Sequence, residues 1–336
     1  MTQSIPKTMK ALRLVDFKEN YHLQDDVPVP VPGPGEILVR LVASGFCHTD
    51  HMVYEGAFKT KLPHIGSHEP TGNIAALGPN VSGDWKVGDK VGVYLFKNAC
   101  GDCAGCKWHA AAYGGKTSAR YCFNQTMHGI LGADGGFSEY MITSDDAIVR
   151  IPEEVPFDQS APLMCAGATV YNGLLEADLS PGQSVAIVGI GALGLLGIQF
   201  AKAMGYRVTS VSSKDHSSPQ KILDFTNGIG LDAAVVCTDN IPDNDWILQR
   251  LRVRGISVVL GLPGDGFTFD AINMTFHEIT VKGGLHASVE AMEEMFVLVK
   301  EHGIRSQITT VKMDEAEDLP ERSEKHDYKG KMVVMI

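Results

Sequence analysis

Cysteine, histidine and glutamate supply the positions in this chain whose types and spacing can do chemistry. Cys100, Cys103 and Cys106 sit three residues apart in CGDCAGC, and Cys122 follows sixteen positions later. Four thiols so arranged can hold a zinc ion or an iron–sulfur cluster, or close two disulfides. Three further stretches, GFCHTDHMVYEG (45–56), IGSHEPTG (65–72) and APLMCAGATVYNGL (161–174), contribute Cys47, His68, Glu69 and Cys165. Two thiolates and one imidazole suit a catalytic zinc that keeps its fourth position for water or substrate. A metal so placed acts as a Lewis acid and lowers the pKa of an alcohol. Cys237, in AAVVCT, reads as a small buried hydrophobe.

A second kind of chemistry is written in VAIVGIGALGLLG. Gly189, Gly191 and Gly194 have the G-x-G-x-x-G spacing, after an apolar strand and at the start of a helix. The turn, with Ile190, Ala192 and Leu193 between the glycines, would present backbone amides to a dinucleotide pyrophosphate. An acidic residue at the end of the next strand would hydrogen-bond the ribose of NAD. In RVTSVSSKDHSS that place falls at Ser212, followed by Ser213 and Lys214, while Asp215 comes too late in the turn. Two hydroxyls and an ammonium favour a 2′-phosphate, so NADP(H) is favoured over NAD(H).

The elements that must carry these residues fall into two kinds. Up to about residue 150 the chain is β-rich, with EILVRLVASG, GNIAALG, KVGVY and FSEYMIT between turn residues, and helical periodicity is scarce. Beyond about residue 165, strands and helices alternate. QSVAIVGI, YRVTSVS, AAVVCT, ISVVLG and ITVKGG read as strands, GALGLLGIQFAKAMG and DNDWILQRLR as helices. That alternation predicts an α/β, doubly wound parallel sheet. A helix over SVEAMEEMFVLVKEHG and a strand over KMVVMI close the chain. The 336 residues, 44% hydrophobic and 21% charged, suffice for about two domains. A net charge of −11 argues against a nucleic-acid partner. The longest apolar run, 185–198, falls short of the roughly 20 residues that cross a bilayer. With no signal-like start, the expectation is a cytoplasmic protein without a membrane partner, whose seven cysteines serve metal or catalysis before disulfides.

GFCHTD, GSHE, the CxxCxxC lobe, DGGFSEY, CAGATVY and VGIGALG, in this order over nearly the whole chain, resemble the zinc-dependent alcohol dehydrogenases of the medium-chain dehydrogenase/reductase superfamily. The resemblance implies a GroES-like β-rich catalytic domain (1–166 and 286–336, with a zinc lobe at about 97–125) and a Rossmann domain (167–285). It implies that Cys47, His68 and Cys165 hold a catalytic zinc, with Glu69 as an alternative ligand. Thr49 would bond the substrate oxygen and Asp50 would orient His68. His48 would lie near the pyrophosphate, Thr169 near the nicotinamide, and Phe58 and Phe96 would line an apolar substrate pocket. Cys100, Cys103, Cys106 and Cys122 look like the family's structural zinc set. Ferredoxin motifs end on Cys-Pro, whereas Phe123 follows Cys122, which also favours zinc. The implied substrate is a small alcohol or carbonyl compound, and the implied assembly a homo-oligomer, dimer or tetramer.

Four departures from the family pattern stand out. The loop KWHAAAYGGKTSARY between the third and fourth lobe cysteines is longer than usual, at little entropic cost, and His109 within it is a possible substitute ligand. Met52 stands where many members end a proton relay in histidine; the adjacent His51 is shifted by one residue, so the proton exit is either His51 through water or no histidine at all. Val289 replaces a cofactor-touching arginine. Between Lys221 and Asp232 the chain is too short for the usual strand–helix pair, which predicts five parallel strands and an edge at RVTSVS open to stray pairing. Competing readings are an inactive cofactor-binding sensor on the same fold and a zinc-free NADPH alkene reductase.

Overall fold

The apolar run SVAIV forms the parallel strand Ser184–Val188, four of whose five residues are buried, as a strand covered on both faces requires. The computed structural model describes residues 4–209 and 211–336. Contacts group the chain into two units. One holds the residues up to Cys165 with Ser288–Phe296 and Gln307–Ile336; the other holds Ala166–Ala287 and Val297–Ser306. The helix Val289–His302 therefore starts in one unit and ends in the other, where the sequence reading placed all of 286–336 in the first. No helix among the described residues is long and apolar enough to cross a membrane.

The second unit is the Rossmann sheet, with five strands among the described residues, as expected. Their order is Arg207–Thr209, Ser184–Val188, Leu231–Val236, Leu251–Val259, Thr280–Gly283, all parallel. Ala186, Leu231, Ala234, Val236, Ile247 and Ile279 belong to its core. The helix Ser218–Phe225 runs into Leu231 through one tight turn. There the Thr226 hydroxyl donates to Ile222 O (2.7 Å) and accepts from Gly230 N (3.0 Å). No room is left for the missing strand. The exposed edge is blunted by its own brevity and by Arg207, whose guanidinium stacks on Phe225 at 4.6 Å. Ser210, inside the expected strand YRVTSVS, lies outside the described residues.

The helix expected over DNDWILQRLR ends early, at Leu248, and its last residues open the strand Leu251–Val259. Arg252 is drawn into the sheet by Asp232, with Nε to Oδ1 at 2.7 Å. Asp232 also accepts from Ser184 N (2.8 Å), Ser184 Oγ (2.7 Å) and Gln183 Nε2 (3.0 Å). Burial would raise its carboxyl, but the Ser184 amide, Arg252 and the other donors bring it down to about 2. Asp232→Ala leaves these donors unpaired and should cost about 1–3 kcal/mol in denaturant unfolding. Because the folded pKa is depressed, the contribution of Asp232 is complete above the ordinary value of 3.8 and disappears as the pH falls towards 2. The variant and the parent should therefore converge in stability in that window.

The first unit is β-rich. Its main sheet runs Ile148–Arg150, Lys90–Val93, Pro70–Leu77, Glu36–Phe46, Lys331–Met335, Ile308–Lys312, with Tyr140–Ser144 also on Glu36–Phe46. Ile37, Val39, Leu41, Ile74, Val91 and Ile148 fill one side. Among the described residues up to about 150, the stretch read as β-rich, the α-helices are His48–Tyr54 and Ala104–Ala112. Both are short, and a two-turn helix shows little periodicity. The second belongs to the long lobe loop, which builds its own aromatic cluster. Trp108 meets Tyr121 edge-on at 5.2 Å and His109 stacks on Tyr113 at 4.6 Å.

Candidate active site

Cys47 caps the helix His48–Tyr54, and Asp50, at the third helical position, accepts from the Cys47 amide (Oδ2, 2.8 Å). Its other oxygen accepts from Ser67 N (3.0 Å) and His68 Nδ1 (3.2 Å). One fully buried carboxylate thus fixes the helix start, the following loop and the imidazole. With Nδ1–H donated to Asp50, His68 Nε2 is left as the lone-pair nitrogen. The loop is pinned from the other side by DGGF, where Gly136 N donates to Ser67 O (2.8 Å) and Phe137 N to Gly66 O (3.1 Å). Only glycine fits at 135, because a Cβ there would lie 2.1 Å from Ser67 O.

Cys165 follows the turn Ala161–Met164, and its Sγ lies 3.9 Å from that of Cys47. Ligand atoms of Cys47, His68, Glu69 and Cys165 all fall within 4.8 Å of one another. The contact with Cys165 draws the Cys47 thiol well below its ordinary range against the effect of burial, helped by Lys331 and His68. The same contact, then burial, holds Cys165 well up. The buried Glu69 Oε2 has no hydrogen-bond partner among the described residues. Two sulfurs, one imidazole nitrogen and an orphaned carboxylate oxygen fit a zinc ion. All four residues belong to the first unit.

Around them, Thr49 Oγ1 lies 4.0 Å from Cys47 Sγ. His51 is paired through Nε2 with Glu324 at 3.3 Å and stacks with the exposed His48 at 6.3 Å. Phe58 is half-buried in the turn after the helix. Phe96 is buried edge-on to Tyr94 at 5.7 Å. Missed by sequence reasoning was Lys331, which pairs with Glu69 inside the protein. Its signal was a lysine at the head of the otherwise apolar KMVVMI.

In the lobe, Cys100, Cys103, Cys106 and Cys122 also bring their sulfurs within 4.8 Å of one another. Backbone amides aim at them: Cys100 N and Asn124 N at Cys122 Sγ, Phe123 N at Cys103 Sγ, each at 3.3 Å. Amide donors of Cys103 and Asp102, with Cys122 and Asn124, bring the Cys100 thiol down to about 6. Burial pushes the Cys106 thiol the other way, up to about 12; four sulfurs so gathered fit a structural zinc, whose charge would favour all four as thiolates. His109 is not among them; its Nδ1 bonds Lys116 O at 2.8 Å.

In the second unit Gly189 takes φ 88°, a region open to glycine, and Gly191 caps the helix Ala192–Ala203 with nothing within 4 Å of a Cβ built on it. Ile190 is exposed, and Gly194 lets the helix start approach Gly189 O. The helix terminus thus faces open space, with Ala192 and Leu193 in its first turn. Thr169 is half-buried in the helix Ala166–Glu176. Ser212 and Lys214 are exposed and Ser213 is half-buried. Asp215 is occupied by Ser217 N (2.9 Å), Ser217 Oγ (2.7 Å) and Lys221 Nζ (2.8 Å). Cys237 is half-buried just past its strand, a correction to the expected core position; burial still lifts its thiol to about 12.

Residues 33–153 match the family model described as the alcohol dehydrogenase GroES-like domain. An alcohol dehydrogenase of Moraxella sp. (strain TAE123) is 32% identical over 346 residues, covering 97% of this chain and 99% of that protein. Among solved structures, a cinnamyl alcohol dehydrogenase from Sorghum bicolor superposes with TM-score 0.80 at 27% identity, covering 98% of each chain. An acetophenone reductase from Geotrichum candidum, in complex with NAD, gives TM-score 0.80 at 27% identity, covering 99% of each. Identity at this level across almost the full length places the chain in the zinc-type alcohol dehydrogenase family of the medium-chain dehydrogenase/reductase superfamily, oxidoreductases acting on alcohols and aldehydes.

Proposed function

We propose that the protein interconverts an alcohol and an aldehyde or ketone with NADP(H), at a catalytic zinc held by Cys47, His68 and Cys165. The observation that carries this reading is the convergence of those donors, with Glu69, within 4.8 Å. Zinc bound there supplies Lewis acidity, which lowers the pKa of a substrate hydroxyl. The protein's own groups do the rest. Asp50 fixes the imidazole by its bond to Nδ1. Thr49, beside Cys47, would hydrogen-bond the substrate oxygen and relay its proton onward, giving up its own hydroxyl proton as it accepts the substrate's. His51, held by Glu324, passes a proton to solvent, which Met52 is unable to do. A second zinc held by Cys100, Cys103, Cys106 and Cys122 has no open position and serves the lobe's stability.

The nucleotide preference rests on Asp215. Its carboxylate is engaged by Ser217 and Lys221, which leaves Ser212, Ser213 and Lys214 to meet the ribose, a set suited to a 2′-phosphate. The apolar rings Phe58 and Phe96 favour an aromatic or apolar substrate, in keeping with the cinnamyl alcohol named for the Sorghum relative. Purified protein should oxidise NADPH with cinnamaldehyde, read as loss of nicotinamide absorbance, at higher kcat/KM than with NADH. Lys214→Ala should raise the KM for NADPH by about 10-fold and leave NADH unchanged, the loss expected for a charged hydrogen bond. Equal use of both nucleotides by parent and variant would reject the phosphate assignment. No turnover with either would leave a cofactor-binding protein without catalysis.

A further inference from the structure

Lys331 opens the strand Lys331–Met335 and its side chain is only 6% exposed. An ammonium costs several kcal/mol to bury unless it finds a counter-charge. Its hydrogen-bonded ion-pair partner is Glu69 Oε1, itself fully buried.

The route by which the two meet is set by strand register. The strand Glu36–Phe46 lies between Pro70–Leu77 and Lys331–Met335. Ser44 pairs with Pro70 on one side, and Met332 and Val333 pair with Phe46 and Gly45 on the other. Lys331, heading one flanking strand, and Glu69, just ahead of the other, thus reach Gly45 from its two sides, and their side chains meet there. A Cβ on Gly45 would stand 1.8 Å from Glu69 Oε2 and 2.9 Å from its Cδ, so only glycine leaves the carboxylate this place. That carboxylate has two cations to choose between. Oε1 is on Lys331, while Oε2 has no partner among the described residues, and Glu69 stands within 4.8 Å of the donor atoms of Cys47, His68 and Cys165.

We propose that Lys331 is a positioning residue that holds the Glu69 carboxylate away from the catalytic metal and so keeps the substrate's position open. This rests on the catalytic-zinc reading above. Without the ammonium, the carboxylate's remaining cation is the metal, and Glu69 would close the fourth position. With the pair intact, the carboxylate is retained close by as a reserve ligand.

The test compares the zinc-loaded parent with Lys331→Met, Lys331→Arg and the double variant Lys331→Met/Glu69→Gln. Two readouts besides turnover are used: zinc release to a chelator, and binding of imidazole as a small donor for the open position. In Lys331→Met, imidazole binding should weaken by at least ~10-fold and zinc release should slow by a similar factor, the scale on which outer partners tune a metal site. The double variant should recover imidazole binding, because no carboxylate is left to compete. Lys331→Arg should behave as the parent, since a guanidinium grips a carboxylate at least as well. A merely structural lysine would instead speed zinc release and lower thermal stability, without rescue by Glu69→Gln. That result overturns the proposal, as does unchanged imidazole binding in Lys331→Met. If Lys331→Met does not fold, the arginine and double variants decide: weakened imidazole binding in either contradicts the proposal. Should the parent hold zinc only at the lobe, the catalytic-zinc reading fails first, and metal analysis of the parent separates the two failures.

Discussion

Cys47→Ser yields a folded protein that carries about one zinc per chain instead of two and has lost turnover by more than ~100-fold, beyond the 10–100-fold typical of outer partners. A serine hydroxyl is a poor zinc ligand and does not ionise near neutral pH, whereas the Cys47 thiol is drawn well below its ordinary range by Cys165, Lys331 and His68. The fold should survive because the Cys47 amide stays on Asp50 at 2.8 Å and a serine hydroxyl serves a capping box at least as well as a thiol. Asp50→Ala removes that cap and the His68 tether together, so both stability and metal retention should fall. Metal analysis, turnover and a thermal melt on the same samples distinguish these outcomes. Full activity in Cys47→Ser would remove Cys47 from the reaction.

Cys106→Ser should have the largest effect on stability. Cys106 is fully buried in the lobe, within 4.8 Å of Cys103 and Cys122, whose sulfurs accept from the amides of Phe123, Asn124 and Cys100. Metal binding in such a unit is folding free energy. Losing one of four ligands releases the lobe zinc and should cost more than ~4 kcal/mol, the range reserved for loss of a metal or a core network. The lobe loop carries Lys107, Lys116 and Arg120, so trypsin should cut it readily in the variant and slowly in the parent. Equal cleavage rates in the two would mean that the aromatic cluster of Trp108, His109, Tyr113 and Tyr121 holds the loop without metal.

The Rossmann sheet could be read directly because its cause is local. SVAIVGIGALG is a buried strand, a glycine turn and the start of a helix in eleven residues, and the short span from Lys221 to Asp232 admits no further strand. The cysteine sets were legible for a different reason. Sulfur in that spacing has few other uses in a chain of this composition. What the sequence hides are pairings set by tertiary register. Lys331 and Glu69 are 262 residues apart, and the lysine at the head of apolar KMVVMI hints at burial without naming its partner. DNDWILQRLR reads as helix throughout because its helix formers continue past Leu248. The pull of Asp232 on Arg252, from a neighbouring strand, decides otherwise. That Asp215, already too late in the turn for the ribose, is also taken up by Ser217 and Lys221 shows only in the structure.

Anomalous scattering at the zinc edge, on crystals of the protein as purified, addresses the catalytic site without any assay. Two peaks per chain are expected. One should be bonded to Sγ of Cys47, Sγ of Cys165 and Nε2 of His68, with Glu69 turned to Lys331, and the other should lie among Cys100, Cys103, Cys106 and Cys122. A map with no peak touching residues 47, 68 and 165 would contradict the proposed chemistry, even with the fold and the lobe metal intact.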